Sequence, residues 1–462
     1  MLKRYVGDKT FYRHVLAIAL PIILQNLITN FVSLLDNLMV GQLTTAEISG
    51  VTIVNNNLLF IFNICLFGGA AGAGIFTTQY HGSGNQEGIR HTFRFKLLVC
   101  TILTILGTAG FLLASDPLIC LYLQGDGDPQ MALDALRYGR EYLYMMLWGL
   151  FPFAITTAYA GTLRECGQPT VPMAAGMVAT GVNLVFNYLL IFGHFGFPAM
   201  GVRGAALATV MSRYVEAAIV IIWTHTHTEK NPFVTGLYRS LYIPKKLLRA
   251  IVIKGMPLLL NEFLWTIGMA IVNQCYSTCG LDVVPALSIS STIYNLTAVI
   301  YRSIGATVGI IMGQMLGAGK GREEILDSNR KLLALAGFSG FVFGIITAAL
   351  SVVFPQLYNT SNSIRMLATQ MILIGAVFMP MQAYSFPVYF TLRAGGKTGI
   401  TLLFDCGSIW FLYLPIAFCL SRWTNLSILV IYALCNATDI IKGVAGHFVI
   451  KQGGWIQKLA DK

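Results

Sequence analysis

The stretch Ala19-Leu20-Pro21-Ile22-Ile23-Leu24-Gln25-Asn26 decides the fold, because a close copy of it lies 236 residues further on, as Gly255-Met256-Pro257-Leu258-Leu259-Leu260-Asn261-Glu262. Two shorter patterns repeat in the same way: Gln79, Gly82 and Gly84 return as Gln314, Gly317 and Gly319, and Leu163-Arg164 with Gly167 returns as Leu392-Arg393 with Gly396. The repeated unit is about half of the protein, far longer than the repeat of a solenoid. Duplicated units of this length are typical of secondary transporters, whose substrate sites lie where the two copies meet.

The composition indicates that most of the surface faces lipid. The 462 residues are 55% hydrophobic and only 11% charged, with a mean hydropathy of +0.67, whereas a soluble domain has about 25% charged residues. The nine cysteines are an odd number and lie mostly within apolar runs. We interpret them as small packing residues and not as a disulfide framework.

Twelve apolar segments are long enough to cross a bilayer, which takes about 20 residues of helix. They lie near residues 14–40, 48–79, 93–115, 137–160, 170–193, 201–224, 250–276, 284–313, 331–354, 364–391, 399–421 and 425–449. The sequence therefore predicts an all-α polytopic membrane protein with a six-helix N-lobe (1–224), a cytoplasmic linker (225–249) and a six-helix C-lobe (250–462). Because each half has an even number of spans, we expect a pseudo-two-fold axis along the membrane normal.

The distribution of lysine and arginine predicts the orientation. Twenty-four of these residues fall on the side of the termini and the linker, and five fall on the opposite side. By the positive-inside rule we expect a multi-pass protein of the bacterial cytoplasmic membrane with both termini in the cytoplasm. The formal charge of +11 is thus explained by topology, and we expect no nucleic-acid partner.

Chemistry is expected where ionisable groups lie at membrane depth, because burying a charge in hydrocarbon is costly. The acids at such depth are Asp36, Glu216, Glu262, Asp405 and Asp439, and the bases are Arg213 and Arg302. Asp36 continues a polar stripe of substrate-cavity candidates, Gln25, Thr29 and Ser33, whose spacing keeps one helix face. That face must look into a cavity or into the bundle. The alternative is a structural carboxylate bonded to a neighbouring helix.

Asn183 and Asn187 share one face of span five, and Thr209 lies in span six. Carboxylate, amide and hydroxyl oxygens are hard ligands that suit Na⁺, and a desolvated carboxylate can instead carry a proton. Asparagine and threonine also join membrane helices with no ion present. Both interpretations stay open on the residues alone.

The second half moves its charges to other positions. The repeat counterparts of Glu262 and Asp405 are Asn26 and Gly176, and the counterpart of Asp36 is Val272. Arg302 needs a counter-ion, for which we expect Glu262 or Asp405, either as a structural pair or as a coupling site. We expect two local neutralisations three residues apart: Glu216 with Arg213, and Asp439 with Lys442.

No motif in the chain would energise transport with ATP. Gly396-Lys397-Thr398 resembles the end of a phosphate loop, but Thr391 stands where that loop needs glycine. We therefore expect an ion gradient as the energy source, no enzyme activity, no cofactor, and no metal beyond Na⁺ at Asp36. Pro21 cannot donate a backbone hydrogen bond to Ala17, which predicts a hinge about four turns before Asp36.

Three stretches resemble the multidrug and toxic compound extrusion (MATE) transporters, and the likeness covers nearly the whole chain. Pro21 followed by Ser33-Leu34-Leu35-Asp36-Asn37-Leu38-Met39-Val40-Gly41 resembles the first-helix signature of that family. Leu163-Arg164-Glu165-Cys166-Gly167-Gln168-Pro169-Thr170 is similar to its loop after span four. Asn183, Asn187 and the run from Phe192 to Thr209 follow its pattern in spans five and six.

This resemblance implies an outward-opening, two-lobed antiporter that exports bulky, cationic or neutral drugs and toxic compounds in exchange for Na⁺ or H⁺. It places the N-lobe cation site on Asp36, Asn183, Asn187 and Thr209; some members have Asp at the position of Asn187, so the coupling ion stays open. Glu262 matches the span-seven acid of the Na⁺-coupled branch, whose span-ten acid is absent here. The context of Asp405 is similar to that in Gram-positive exporters of the family.

Two rival functions follow from the same residues. A lipid-linked precursor flippase of the same superfamily would share the lobes, but it usually has further spans and a strongly basic cavity. A membrane enzyme would need a cluster of catalytic residues within the spans, and the sequence offers none. We expect a monomer with small-molecule substrates in the lipid bilayer, and the exported compound is left open.

Overall fold

The computed structural model describes residues 5–123 and 129–460, apart from the side chains of Leu34, Asn37 and Leu38. The regular structure of these residues is entirely helical, which confirms the predicted all-α fold. The first half contains α1 (Lys9–Val40), α2 (Thr45–Ile53), α3 (Phe60–Gly82), α4 (Gln86–Cys120), α5 (Pro129–Glu165), α6 (Thr170–Phe192) and α7 (Val202–Thr226). The second half contains α8 (Lys245–Ser277), α9 (Val283–Gly317), α10 (Arg322–Leu350), α11 (Asn362–Ala394), α12 (Thr398–Ser408), α13 (Leu414–Trp423) and α14 (Ile428–Gln452).

Twelve helical stretches of the described chain are long and apolar enough to span a membrane, which confirms the predicted number. Two of them contain a π-helical segment: Val54–Leu59 joins α2 to α3, and Ile409–Tyr413 joins α12 to α13. Several helices are longer than predicted, as with the third span, expected at 93–115 and observed at Gln86–Cys120. Hydropathy detects only the part of a helix within hydrocarbon, so the ends that reach the polar headgroups escape it.

The chain divides into two compact units. The C-unit comprises the residues up to Ile23, the segment Thr78–Gly84, and the residues from Val252 onwards. The N-unit comprises Leu24–Thr77 and Asn85–Ile251. Helix α1 therefore passes from one unit to the other two residues after Pro21. The predicted lobe boundaries near residues 224 and 250 stay a prediction.

The repeated residues Gln79, Gly82, Gln314 and Gly317 meet within the C-unit, where the ends of α3 and α9 cross. A Cβ atom added to Gly82 would lie 2.0 Å from the Gln314 carbonyl oxygen. A Cβ atom added to Gly317 would lie 1.9 Å from the Gln79 carbonyl oxygen. The two contacts exchange equivalent residues, so the sequence repeat records a reciprocal backbone crossing that only glycine permits.

The repeated Leu-Arg-Gly motifs end α5 and α11 in the same way. Gly167 and Gly396 have φ angles of 75° and 71°, the left-handed region that glycine enters at little cost. The amide of Gly167 donates to the Arg164 carbonyl at 3.0 Å, and the amide of Gly396 donates to the Arg393 carbonyl at 2.9 Å. The glycine is thus repeated because each helix needs the same turn after its last residue.

The linker after α7 packs against the N-unit. Phe233, Val234 and Leu237 of this linker are buried. The Arg94 guanidinium, on α4, donates to the carbonyl oxygens of Leu237 and Gly236, each at 2.9 Å. Arg94 belongs to the basic residues that predict the cytoplasmic side, and the structure gives it this second, structural role.

Candidate functional site

The structure brings together the four residues of the predicted N-lobe site. The Asn187 amide nitrogen donates to Asp36 Oδ1 at 2.6 Å and to Asn183 Oδ1 at 3.2 Å. The Asn183 amide nitrogen donates to the Thr209 hydroxyl at 3.2 Å. Asn183 and Asn187 are 5% and 2% exposed, whereas Asp36 itself is half-buried. No lysine, arginine or histidine of the described residues forms an ion pair with Asp36.

The hydrogen bonds of this cluster are incomplete in either orientation of the Asn183 amide. In the orientation described above, Asn183 Oδ1 lies 2.8 and 3.1 Å from the two Asp36 oxygens. Three hydrogen-bond acceptors then face one another with no donor between them. Turning the amide makes its nitrogen the donor to both, but places that nitrogen 3.2 Å from the Asn187 amide nitrogen. Asn187 Oδ1 is buried and has no hydrogen-bond partner in the described chain. In the turned orientation Asp36 accepts from both amides, so the atom of this cluster that the described chain leaves without a donor is Asn187 Oδ1.

Sequence reasoning did not identify Tyr142 or Asn55, the residue to which Tyr142 donates a hydrogen bond. Tyr142 of α5 lies within electrostatic range of both Asp36 and Arg213, and its hydroxyl donates to Asn55 Oδ1 at 3.2 Å. Asn55 belongs to the π-helical segment that interrupts the second span. The run Asn55-Asn56-Asn57 inside an apolar segment was the available signal, since π segments are frequent at functional sites.

The polar residues that precede Asp36 on α1, Gln25, Thr29 and Ser33, are only partly buried. Gln25 is 9% exposed, and its side-chain oxygen accepts from Arg164 Nη2 at 2.8 Å. The Thr29 hydroxyl donates to the Gln25 backbone carbonyl at 2.8 Å. Thr29 and Ser33 are exposed. Their contact with a substrate stays a prediction.

The C-lobe candidate Asp405 is neutralised by a residue of the chain. Lys442 Nζ of α14 lies 2.6 Å from Asp405 Oδ1, and both side chains are largely buried, at 16% and 17% exposure. The Asn261 amide nitrogen donates to Asp405 Oδ2 at 2.9 Å. Asp405 is followed by the π-helical segment Ile409–Tyr413. Asp405 thus has the cationic partner that Asp36 lacks.

The prediction that Asp405 is the counter-ion of Arg302 was wrong, because Lys442 forms an ion pair with that carboxylate. The Arg302 guanidinium instead lies 5.9 Å from the centre of the Tyr294 ring. Glu262, the other expected partner, lies within electrostatic range of Arg393 and Asp405. The structure therefore gathers Glu262 and Asp405 in one region and leaves Arg302 to an aromatic neighbour.

The two pairs predicted within single helices form no direct ion pair in the described chain, although each base lies within electrostatic range of its acid. Lys442 pairs with Asp405 instead of Asp439, whose Oδ2 accepts from Gln382 Nε2 at 2.8 Å. Arg213 lies 4.6 Å from the centre of the Phe153 ring and forms no ion pair with Glu216 among the described residues. Spacing along a helix shows which side chains can meet, but partners on neighbouring helices compete for the same charges.

Comparison with known proteins identifies two copies of one family domain in this chain. The family model described as MatE matches residues 21–189 and again residues 257–419. The matches begin at Pro21 and Pro257, the two prolines of the repeated stretch, which confirms the duplication.

Individual relatives and structures agree with that match. A probable multidrug resistance protein NorM of Thermotoga maritima is 23% identical over 444 residues, which are 96% of this chain and 93% of that protein. A crystal structure of MATE in complex with MaL6 covers 98% of both chains with a TM-score of 0.84 and 19% identity. An outward-facing structure of a multidrug resistance MATE family transporter also covers 98% of both chains, with a TM-score of 0.85 and 18% identity.

Proposed function

The chain belongs to the MatE family, and we propose that it is a secondary active antiporter that exports bulky, cationic or neutral drugs and toxic compounds in exchange for Na⁺ or H⁺. The Thermotoga maritima relative is a probable multidrug resistance protein, which supports efflux. A related structure solved in complex with MaL6 supports small-molecule cargo. The same family membership favours transport over a membrane enzyme.

The observation that carries this proposal is the incomplete cluster around Asp36. Its half-buried carboxylate has no cationic partner among the described residues, and Asn187 Oδ1 beside it has no donor. A carboxylate, two amides and a hydroxyl offer only oxygen to a cation, which is the chemistry that Na⁺ accepts. A proton on Asp36 would instead neutralise the carboxylate directly. Either ion would therefore be stabilised at this point of the N-unit.

Ion exchange at Asp36 gives a physical basis for coupling. Binding of the ion changes which partners α1 needs, because a neutralised carboxylate no longer requires two amide donors. Two packings of α1 that differ in free energy by a few kcal/mol would be enough to alternate between states. The Asp405–Lys442 pair already holds its own cation, so we assign coupling to the N-unit.

Efflux from proteoliposomes tests the proposal. Ethidium would be loaded and its release followed under an imposed Na⁺ gradient, and then under a pH gradient without Na⁺. We expect release to accelerate under one gradient and to stay at the leak rate when the gradient is collapsed by an ionophore. Equal release with and without every gradient would contradict antiport.

The flippase alternative is disfavoured by the charges at membrane depth. Five acids, Asp36, Glu216, Glu262, Asp405 and Asp439, stand in the spans beside Arg213 and Arg302, and Lys442 is already paired with Asp405, so these charges disfavour a pyrophosphate-linked lipid. Cationic or neutral cargo fits it better.

We also propose that both termini are cytoplasmic, and cysteine labelling tests this. Gly127, on the predicted outer side, lies outside the described residues, so Leu281 between α8 and α9 is the better probe because it is 96% exposed. In a background lacking the exposed Cys120, L281C should react with an impermeant maleimide added to intact cells. T235C, an exposed position in the linker, should react only after lysis. Equal labelling of both in intact cells would contradict the twelve-span orientation.

A further inference from the structure

A cavity of about 750 Å³ lies within the C-unit between α10, α11 and α14. Its apolar part is formed by Leu333, Ala334 and Gly337 of α10 together with Pro380 and Val444. The volume lies within the range of cavities that hold drug-sized ligands, about 300–1,000 Å³. Phe338 and Phe448, next to the lining residues on α10 and α14, are 65% and 60% exposed. In a membrane-embedded chain, such apolar exposure marks a surface that faces lipid.

One end of the cavity is basic. Arg330, His447 and Lys451 line it there. The Tyr384 hydroxyl and His447 Nδ1 are 2.9 Å apart, which fixes the imidazole at the wall. Lys451 is exposed and has no ion-pair partner within the described ranges. The acid that pairs with Arg330 is Asp327, which lies 3.8 Å from Arg330 but only 2.6 Å from Lys331, so Lys331 neutralises most of its charge.

Charge and apolarity are separated along the helix axes. Arg330 and Gly337 are seven residues apart on α10, which is about 10 Å of helix. Lys451 stands at the end of α14, next to Gln452, and Gly443 of the lining lies eight residues before it. Because the Lys and Arg distribution assigns this end of α10 and α14 to the cytoplasm, the basic groups lie at headgroup level and the apolar part at acyl-chain level.

We propose that this cavity binds one anionic phospholipid of the cytoplasmic leaflet, with its phosphate at Arg330 and Lys451 and an acyl chain against Gly337. Basic pockets between membrane helices on the cytoplasmic side are suited to anionic headgroups. Cationic cargo is a poor occupant, because two permanent positive charges stand at the entrance. The proposal does not depend on the antiport function, since the described residues that line the cavity do not include Asp36, Glu262 or Asp405.

Filling the apolar part tests the acyl-chain contact. A Cβ atom added to Gly337 meets nothing within 4 Å, so the side chain of G337L begins in open space at the cavity wall. G110L is the matched control, because Gly110 of α4 is also a membrane-helix glycine with nothing within 4 Å of an added Cβ atom. Native mass spectrometry of the purified protein with phosphatidylglycerol should show one retained lipid for the wild type and for G110L. G337L should lose it, and retention by G337L at the wild-type level would overturn the proposal.

Removing the charges tests the headgroup contact. Each basic residue near a membrane surface is worth about five-fold in affinity for anionic lipid, so R330Q with K451Q should weaken phosphatidylglycerol binding about 25-fold. Phosphatidylcholine should bind the wild type no better than it binds the double variant. Displacement by soluble glycerophosphate at equal concentration would show a phosphate-ion site instead of a lipid site. That outcome, or equal binding of the two phospholipids, would contradict the inference.

Discussion

The two acid sites of this protein differ in what balances their charge. Asp36 in the N-unit is held by the neutral amide of Asn187 at 2.6 Å. Asp405 in the C-unit is held by the ammonium of Lys442, also at 2.6 Å. A carboxylate with neutral partners has to take its cation from solution, whereas one with a tethered lysine does not. The comparison teaches that a buried acid indicates coupling only when the chain leaves it uncompensated.

The two acids are not repeat counterparts, but the residues that pair at Asp405 do have counterparts in the first half. Gln25 and Gly176 are the counterparts of Asn261 and Asp405, and they also meet, since a Cβ atom on Gly176 would lie 3.1 Å from the Gln25 amide nitrogen. The contact between these helices was kept while the acid appeared in one copy only.

The sixth and twelfth spans carry charges of opposite sign at corresponding positions. Helices α7 and α14 are both 25 residues long. Aligned end to end, Arg213 corresponds to Asp439 and Glu216 corresponds to Lys442, so both signs are reversed. Lys442 thus stands where the first half has Glu216, and at this position it is the counter-ion of Asp405.

The largest expected effect is on transport by the N-unit site. D36N removes the only charge of the cluster, so we expect gradient-driven ethidium efflux to fall about 100-fold, near the upper end of ordinary coupling energies. D405N in the C-unit should retain most of the rate. Efflux rates in proteoliposomes containing equal amounts of each variant would measure both.

Expression and thermal unfolding midpoints separate the two interpretations of Asp36. D36N should insert and fold like the wild type, since its partners are neutral and an amide can still accept from Asn187. Loss of folded protein, with normal transport by what remains, would show that Asp36 is a structural carboxylate. Equal loss of efflux in D36N and D405N would remove the contrast between the units.

The next effect is on stability in the C-unit. K442Q leaves the Asp405 carboxylate buried without a cation, which typically costs about 3–5 kcal/mol. The thermal unfolding midpoint in detergent should therefore fall well below that of the wild type. Added Na⁺ should raise it again, because the vacated carboxylate can then take an ion from solution.

The double variant D405N/K442Q is the control for that experiment. Removing both charges leaves no uncompensated ion, so its midpoint should lie close to that of the wild type and should not respond to Na⁺. If K442Q alone unfolds like the wild type, the ion pair contributes nothing and Asp405 has another partner.

Sequence reasoning reached the fold because periodic and repeated residues encode it, and it reached the membership of the Asp36 cluster through the resemblance to the MATE family. Hydropathy gave the number of spans, and the face shared by Asn183 and Asn187 follows from their spacing of four. The pairing of charges could not be predicted, since Lys442 and Asp405 are 37 residues apart on different helices. Helix rotation decides such contacts. The hydrogen bond between Tyr142 and Asn55 could not be predicted for the same reason.

A smaller effect should be equal in the two copies. G82A and G317A each place a Cβ atom about 2 Å from a carbonyl oxygen of the crossing helix, and such overpacking costs about 1–3 kcal/mol. G161A, where an added Cβ atom meets nothing within 4 Å, should leave stability unchanged or slightly raised. Unfolding midpoints of the three variants would show whether the crossing is reciprocal; a loss confined to G82A or to G317A would mean that it is not.

The smallest expected effect concerns the hinge in α1. Pro21 lies two residues before the point where α1 passes from the C-unit to the N-unit, and Pro257 lies six residues after the corresponding passage of α8. Proline removes one backbone hydrogen bond, so α1 is weakest close to where its two parts belong to different units. Since Asp36 lies on the same helix and its counterpart Val272 is apolar, bending at Pro21 can follow the ion while bending at Pro257 cannot. P21A should slow ethidium turnover several-fold, by about 1 kcal/mol of barrier, with little change in the ethidium dissociation constant. P257A should change both less, and comparable rate losses in P21A and P257A would show that the two units move alike and that the asymmetry of the acid sites does not extend to motion.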